Sequence, residues 1–212
     1  MKKTLSIFIL SLFALSLYAQ DNTTEQKKSQ EWTAELKLAN PTKEAKIKSL
    51  ISTHLIAVKE WHNSHPSNTV PAGINPYTGD KLSDMDRSII ADSAQPDSIH
   101  SNLITGLRQE LDEQQVAFIL DKYTIGKVDF TLKGYKAIVP DLTAVEEQTI
   151  RENLEEARER AIDYKSIKQV SAIFEIYKNK CEAYLNANGR NWRQLFKEYV
   201  TKVKAEKENQ KK

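Results

Sequence analysis

The chain has 212 residues, with 31 Lys and Arg against 29 Asp and Glu, a formal net charge of +2, one cysteine and 28% charged residues. A single cysteine excludes an internal disulfide and any thiolate-built zinc site. A near-neutral chain of mixed charges gives no electrostatic footing for nucleic acid, whose binders gather positive charge on one face.

The start reads as a targeting segment. Lys2 and Lys3 precede an apolar run from Leu5 to Leu17, shorter than the about 20 residues that span a bilayer. Leu17-Tyr18-Ala19 then supplies a small-residue cleavage site. These features predict a signal peptide over 1–19, cut after Ala19 or Gln20, and a periplasmic or secreted product. No cysteine follows the cut to carry a lipid anchor, so no stable membrane insertion is expected after cleavage. Losing Lys2 and Lys3 lowers the basic count from 31 to 29, equal to the acidic count. The roughly 190 residues that remain suit one domain with a sizeable core.

Residues 20–30 read as a flexible N-terminus and 31–203 as a single helical domain. Glu31 to Leu38 carries Trp32, Leu36 and Leu38. Asn40-Pro41 then offers an N-cap followed by proline at the first helical position. Ile47, Leu50, Ile51, His54, Leu55, Val58 and Trp61 share one face of the next helix, to about Asn63. Residues 64–100, with Pro66, Pro71, Gly73, Pro76, Gly79 and Pro96, predict a long polar loop holding at most a helical turn from Asp84 to Ala91. The helical period returns at Leu103, Leu107 and Leu111, and again from a cap at Asp112 and Gln115 through Val116, Ile119, Leu120 and Tyr123.

Residues 123–140 read YTIGKVDFTLKGYKAIVP. Val128, Phe130 and Leu132 alternate with Lys127, Asp129, Thr131 and Lys133, the period of a strand with one apolar side. This predicts an extended or short β insertion at about 125–139, lying as an arm over the helices. Capping boxes at Thr143/Glu146 and Ser166/Gln169 open two long helices, Gly189 follows the second, and Trp192 to Val203 forms the last before a tail at 204–212. The expected fold class is mainly α, a bundle of five to six helices with that one insertion.

The run from Leu111 to Trp192 resembles the family of secreted bacterial proteins called domain of unknown function 3826. Its pattern runs LTPEQV, Y-[KN]-G-Y before a proline, EARExAxD, YKG and YL-x-x-x-G. The chain shows Leu111 to Val116, Lys133-Gly134-Tyr135 before Pro140, Glu156 to Asp163, Tyr177-Lys178, and Tyr184-Leu185 with Gly189. Similarity extends back to Trp61-His62, with Asn63 where the pattern has aspartate. The resemblance implies a genetic setting beside plant-polysaccharide breakdown. Two blocks, at Leu111 and Leu142, are also similar to the Leu-Thr-x-x-Gln motif of periplasmic chaperone-like proteins, although a helix cap followed by Glu or Gln produces the same letters locally.

The candidate functional residues are His62, Lys133, Tyr135, Arg158, Glu159, Asp163 and Lys178. In the Arg158 block a salt-bridged helix face and a specific role both fit the spacing, since an arginine offers five donors. His62 and His65 stand three apart, but without HExxH or a neighbouring ligand they predict no metal site, and no cofactor is expected. Tyr135 beside Gly134 is the candidate platform for a sugar ring, or else a core plug. Asp129 and Glu159 could meet as a glycosidase pair. Asp92-Ser93-Ala94 and Asp97-Ser98-Ile99 match the D-[ST]-aliphatic pattern of bacterial O-glycosylation at Ser93 and Ser98. The expected function is an accessory component of polysaccharide utilisation that binds carbohydrate or an envelope protein. The alternatives are a small lyase or hydrolase and a chaperone-like protein.

Overall fold

The computed structural model describes residues 22–76 and 78–210; the leader read over 1–19 lies outside the described residues. Among the described residues the chain is mainly α, with nine α-helices and no β-strand; the single isolated bridge pairs Ile74 with Lys81. The chain divides into two compact units, one ending at Ile119 and the other beginning at Leu120.

The first unit contains α1 (Thr23–Glu35), α2 (Pro41–Ser64), a 3-10 turn (Ser67–Thr69), α3 (Asp84–Ser93), α4 (Asp97–Glu110) and the start of α5 (Glu113–Thr124). The Asn40 side chain accepts the Lys43 amide at 3.1 Å, and Pro41 fills the first turn, as the sequence predicts. Ile47, Ile51, His54 and Val58 form the buried face of α2. It packs on α1 and α4. The buried face of α1 is small and polar: Ser29 and Thr33 turn their hydroxyls onto the carbonyls of Gln26 and Ser29, so that burial leaves no donor unmade. Gly106 lets α4 approach α2, because a Cβ there would meet Leu50 Cδ2 at 2.7 Å.

The segment read as a loop with one helical turn holds instead a ten-residue helix, α3. Its start is set by a reciprocal capping box between Ser83 and Asp86, a local signal that the proline and glycine content of 64–100 masks. The rest of the segment is tied by backbone bonds from Leu82 to Gly73 and Asn75 to Asp80, and by the Arg87 guanidinium donating twice to the Val70 carbonyl at 2.7 and 3.0 Å.

The second unit contains the end of α5, then α6 (Lys127–Ile138), α7 (Ala144–Ala161), α8 (Ile167–Ala187) and α9 (Trp192–Asn209). The largest departure from the sequence reading is α6: the expected extended insertion at 125–139 is a helix. Val128, Leu132, Tyr135 and Val139 recur at helical spacing and are buried, whereas Phe130, the middle of the alternating trio, is 78% exposed. A helix satisfies its own backbone, and a lone strand does not. The chain enters α6 through two left-handed residues, Ile125 (φ 51°) and Gly126 (φ 66°). For a β-branched isoleucine this costs about 1–2 kcal/mol.

α7 packs against both α6 and α8. Ile150, Leu154, Ala157 and Ala161 face Val170, Ile173, Phe174, Tyr177, Cys181 and Leu185 in the buried set. Both capping boxes form as read, at Thr143/Glu146 and Ser166/Gln169. Gly189 (φ 84°) turns the chain after α8, and Arg190 then reaches back. Its guanidinium donates to both Glu146 carboxylate oxygens at 3.0 and 2.8 Å, to the Asp141 carboxylate at 2.8 Å and to the Asp141 carbonyl at 2.9 Å. α9 follows directly, runs on to Asn209, and has no fully buried residue.

The Arg190 donors, with the Thr143 amide, hold the Glu146 carboxyl down from its ordinary 4.5 to about 2. A group whose folded pKa is depressed contributes stability above its unfolded value and loses it as pH falls toward the folded one. Urea titrations at pH 6 and pH 3 should therefore show a loss of stability on acidification, and Glu146→Gln should be less stable at pH 6 with a flatter dependence between the two.

Candidate functional site

In the second unit α6, α8 and α9 enclose a groove of about 790 Å³. α6 presents Lys127, Phe130, Thr131 and Gly134 to it at helical spacing; α8 presents Ser171, Phe174, Glu175, Lys178 and Glu182; α9 closes it with Trp192, Phe196 and Tyr199. Two contacts orient it. At one end the Lys127 ammonium lies 5.8 Å from the centre of the Phe174 ring. At the other the Trp192 ring lies 5.1 Å from Tyr135 and 6.1 Å from Phe196.

Three residues singled out from sequence come together here: Lys133, Tyr135 and Lys178. Tyr135 is not an open stacking platform. It is only 2% exposed, and its hydroxyl donates to the Lys178 carbonyl at 3.1 Å. Burial raises the phenol pKa far above its ordinary value, so it stays a protonated donor that ties α6 to α8. The accessible rings are Phe130 and Phe196, with Trp192 half-exposed. Gly134 sits inside α6 with nothing within 4 Å of an added Cβ, which leaves the groove wall flat at that point.

Lys178 pairs with Glu175 at 2.7 Å. Burial raises the Glu182 carboxyl above its ordinary value, the Lys178 charge opposes that, and the nearby Glu175 charge adds to it. Sequence reasoning missed Glu175 and Glu182. The signal was present, since both share a helix face with Phe174 and Lys178, but only the position of α6 and α9 marks that face as a groove wall.

Arg158, Glu159 and Asp163 do not line the groove. Arg158 is buried on α7, and its Nη1 donates to Asp121 at 3.0 Å across to the end of α5. Asp163 lies near Tyr123, whose buried phenol hydroxyl is raised first by burial and then by that carboxylate. Asp129 pairs with Arg151 on an exposed face, and neither it nor Glu159 reaches the groove. Cys181 is fully buried, its thiol pushed up to about 11 by burial, which makes it a poor nucleophile.

His62 belongs to the first unit. Its Nδ1 lies 2.7 Å from Asp92 Oδ2, and Asp92 is buried while His62 keeps a partly open edge. The carboxylate partner of His62 thus comes from α3, which sequence spacing could not indicate. His65 faces elsewhere, stacked on Trp61 with centroids 3.7 Å apart. His54 is buried in α2 beside a cavity of about 470 Å³ between α2 and α4. Among the described residues no three His, Cys, Asp or Glu side chains gather as a metal set, and no helix is long and apolar enough to cross a membrane.

Tyr135→Phe removes the α6 to α8 hydrogen bond while keeping the ring. It should cost about 1 kcal/mol in urea unfolding, the usual net worth of such a bond. A loss near zero would mean that the ring packing alone holds the helices.

No curated protein matches the chain. The family described as Protein of unknown function (DUF3826) matches residues 22–205, nearly the whole length, including both units and the groove. The chain belongs to that family.

Proposed function

We propose that the protein binds carbohydrate in the groove formed by α6, α8 and α9, as a non-catalytic component exported to the periplasm and serving polysaccharide utilisation. The observation that carries this reading is the pairing of accessible aromatic rings with polar side chains in one groove. Phe130 is 78% and Phe196 48% exposed. Exposed rings gathered in one groove commonly mark an interaction site. The C–H face of a sugar ring packs on such rings, and its hydroxyls accept hydrogen bonds from lysine and serine and donate to carboxylates, which Lys178, Ser171 and Glu175 offer here.

The test is a panel of plant oligosaccharides read for melting temperature and for products together, since a ligand that prefers the folded state must stabilise it. An upward shift without products is expected. Gly134→Leu should fold normally, because a Cβ there meets nothing within 4 Å and the rest of the side chain extends into the groove, and should abolish the shift by filling the groove. A shift that survives Gly134→Leu would place binding elsewhere, and silence on every sugar would favour an envelope-protein partner.

One observation favours a second reading, a small lyase or hydrolase. Glu182, lifted by burial, is a carboxyl suited to general-acid work beside the second carboxylate Glu175. Products that disappear in Glu182→Gln while the thermal shift persists would establish that reading over the binding one.

The two O-glycosylation matches differ in access. Asp92 is buried on His62, whereas Asp97 and Ser98 are exposed in the first turn of α4. A transferase acting on the folded chain would read Ser98 and not Ser93. Intact mass of the natively exported protein should carry a glycan that Ser98→Ala removes and Ser93→Ala leaves in place.

A further inference from the structure

The carbohydrate reading leaves the kind of sugar open, and the charges around the groove narrow it. Lys127 and Lys133 come from α6 and Lys178 from α8, against Glu175 and Glu182. These five do not cancel. Glu175 is already paired with Lys178 at 2.7 Å, and three ammonium groups line the groove against two carboxylates. Lys127 lies over the Phe174 ring at 5.8 Å, and Lys133 stands exposed on the lip. The surplus facing a ligand is positive and comes from α6.

We infer that the groove is built for an acidic oligosaccharide, one carrying hexuronate carboxylates, with Lys133 and Lys127 meeting the carboxylates while Trp192 and Phe196 take a ring face. The inference rests on the carbohydrate reading above. A neutral sugar needs donors and acceptors, which hydroxyl and amide side chains supply with less desolvation than an ammonium. A carboxylate gains a charge-assisted bond and is drawn in from a distance. Lysine also suits a repeating polymer better than arginine: it is a mobile point charge without the fixed bidentate fork, and it follows a carboxylate whose orientation changes from unit to unit. Gly134 follows Lys133 on α6 with no side chain to keep a sugar chain away from the helix.

The experiment is calorimetric titration of the full chain with an oligogalacturonide, with the same oligomer methyl-esterified, and with a neutral galactan oligomer of equal length, at low and high sodium chloride. The acid should bind about tenfold tighter than its ester at low salt, and the ratio should shrink several-fold at high salt as the exposed charges are screened. Lys133→Met, at an exposed position where the fold tolerates change, should narrow the acid-to-ester ratio by at least about threefold, whereas Trp192→Ala should weaken acid and ester alike. An ester or neutral oligomer that binds as well as the acid would overturn the acidic-sugar inference and leave the carbohydrate reading standing. So would a ratio that ignores salt and Lys133→Met. Absence of binding by all three, with the variants and wild type folded, would overturn both.

Discussion

The guanidinium of Arg190 decides where α9 leaves the second unit, and the groove depends on that departure. α9 has no fully buried residue, so hydrophobic burial alone defines its position poorly. Four donor contacts on Asp141 and Glu146 compensate, tying the turn before α9 to the turn before α7. Glu146 serves twice, closing the capping box with Thr143 and receiving Arg190. One carboxylate thereby couples the start of α7 to the start of α9. Charged partners of this kind are geometrically demanding, which is how they place a helix that packing leaves underdetermined.

Inside that frame the groove exists because α6 and α8 are bridged at points and left open between them. The Tyr135 hydroxyl on the Lys178 carbonyl is one such point, and Lys127 over Phe174 is another. Gly134 lies between them. A glycine in a helix interior costs about 1 kcal/mol relative to alanine, and a side chain there would meet nothing within 4 Å. Neither packing nor a positive φ accounts for it.

The first unit solves its polar problems differently. Ser29 and Thr33 of α1 are buried with their hydroxyls bonded to their own helix, and Asp92 is buried against His62. Each is a polar residue whose burial is offset by at least one hydrogen bond. The His62–Asp92 pair also joins α2 to α3, and with the Trp61 indole donating to the Ala91 carbonyl at 3.0 Å it explains why α3 settles where the sequence suggested only a loop.

The helical class, the family, and the start of α2, α7 and α8 were legible in the chain because caps are local: Asn40-Pro41, Thr143 with Glu146 and Ser166 with Gln169 act over three residues and need no partner. The same locality explains the LDEQQ and LTAVEEQ blocks, whose letters are those of caps that do form. Residues 127–139 were not legible in this way. Val128, Phe130 and Leu132 satisfy a period of two, Val128, Leu132, Tyr135 and Val139 a period near 3.6, and no local rule chooses between them. The choice fell to the helices packed against α6, which bury the second set and leave Phe130 in solvent. The site was divided likewise. Lys133, Tyr135 and Lys178 could be named from sequence, but the burial of Tyr135, the pairing of Arg158 with Asp121 and the groove face of Glu175 and Glu182 each depend on a residue far away in the chain, and only tertiary packing brings those partners within reach.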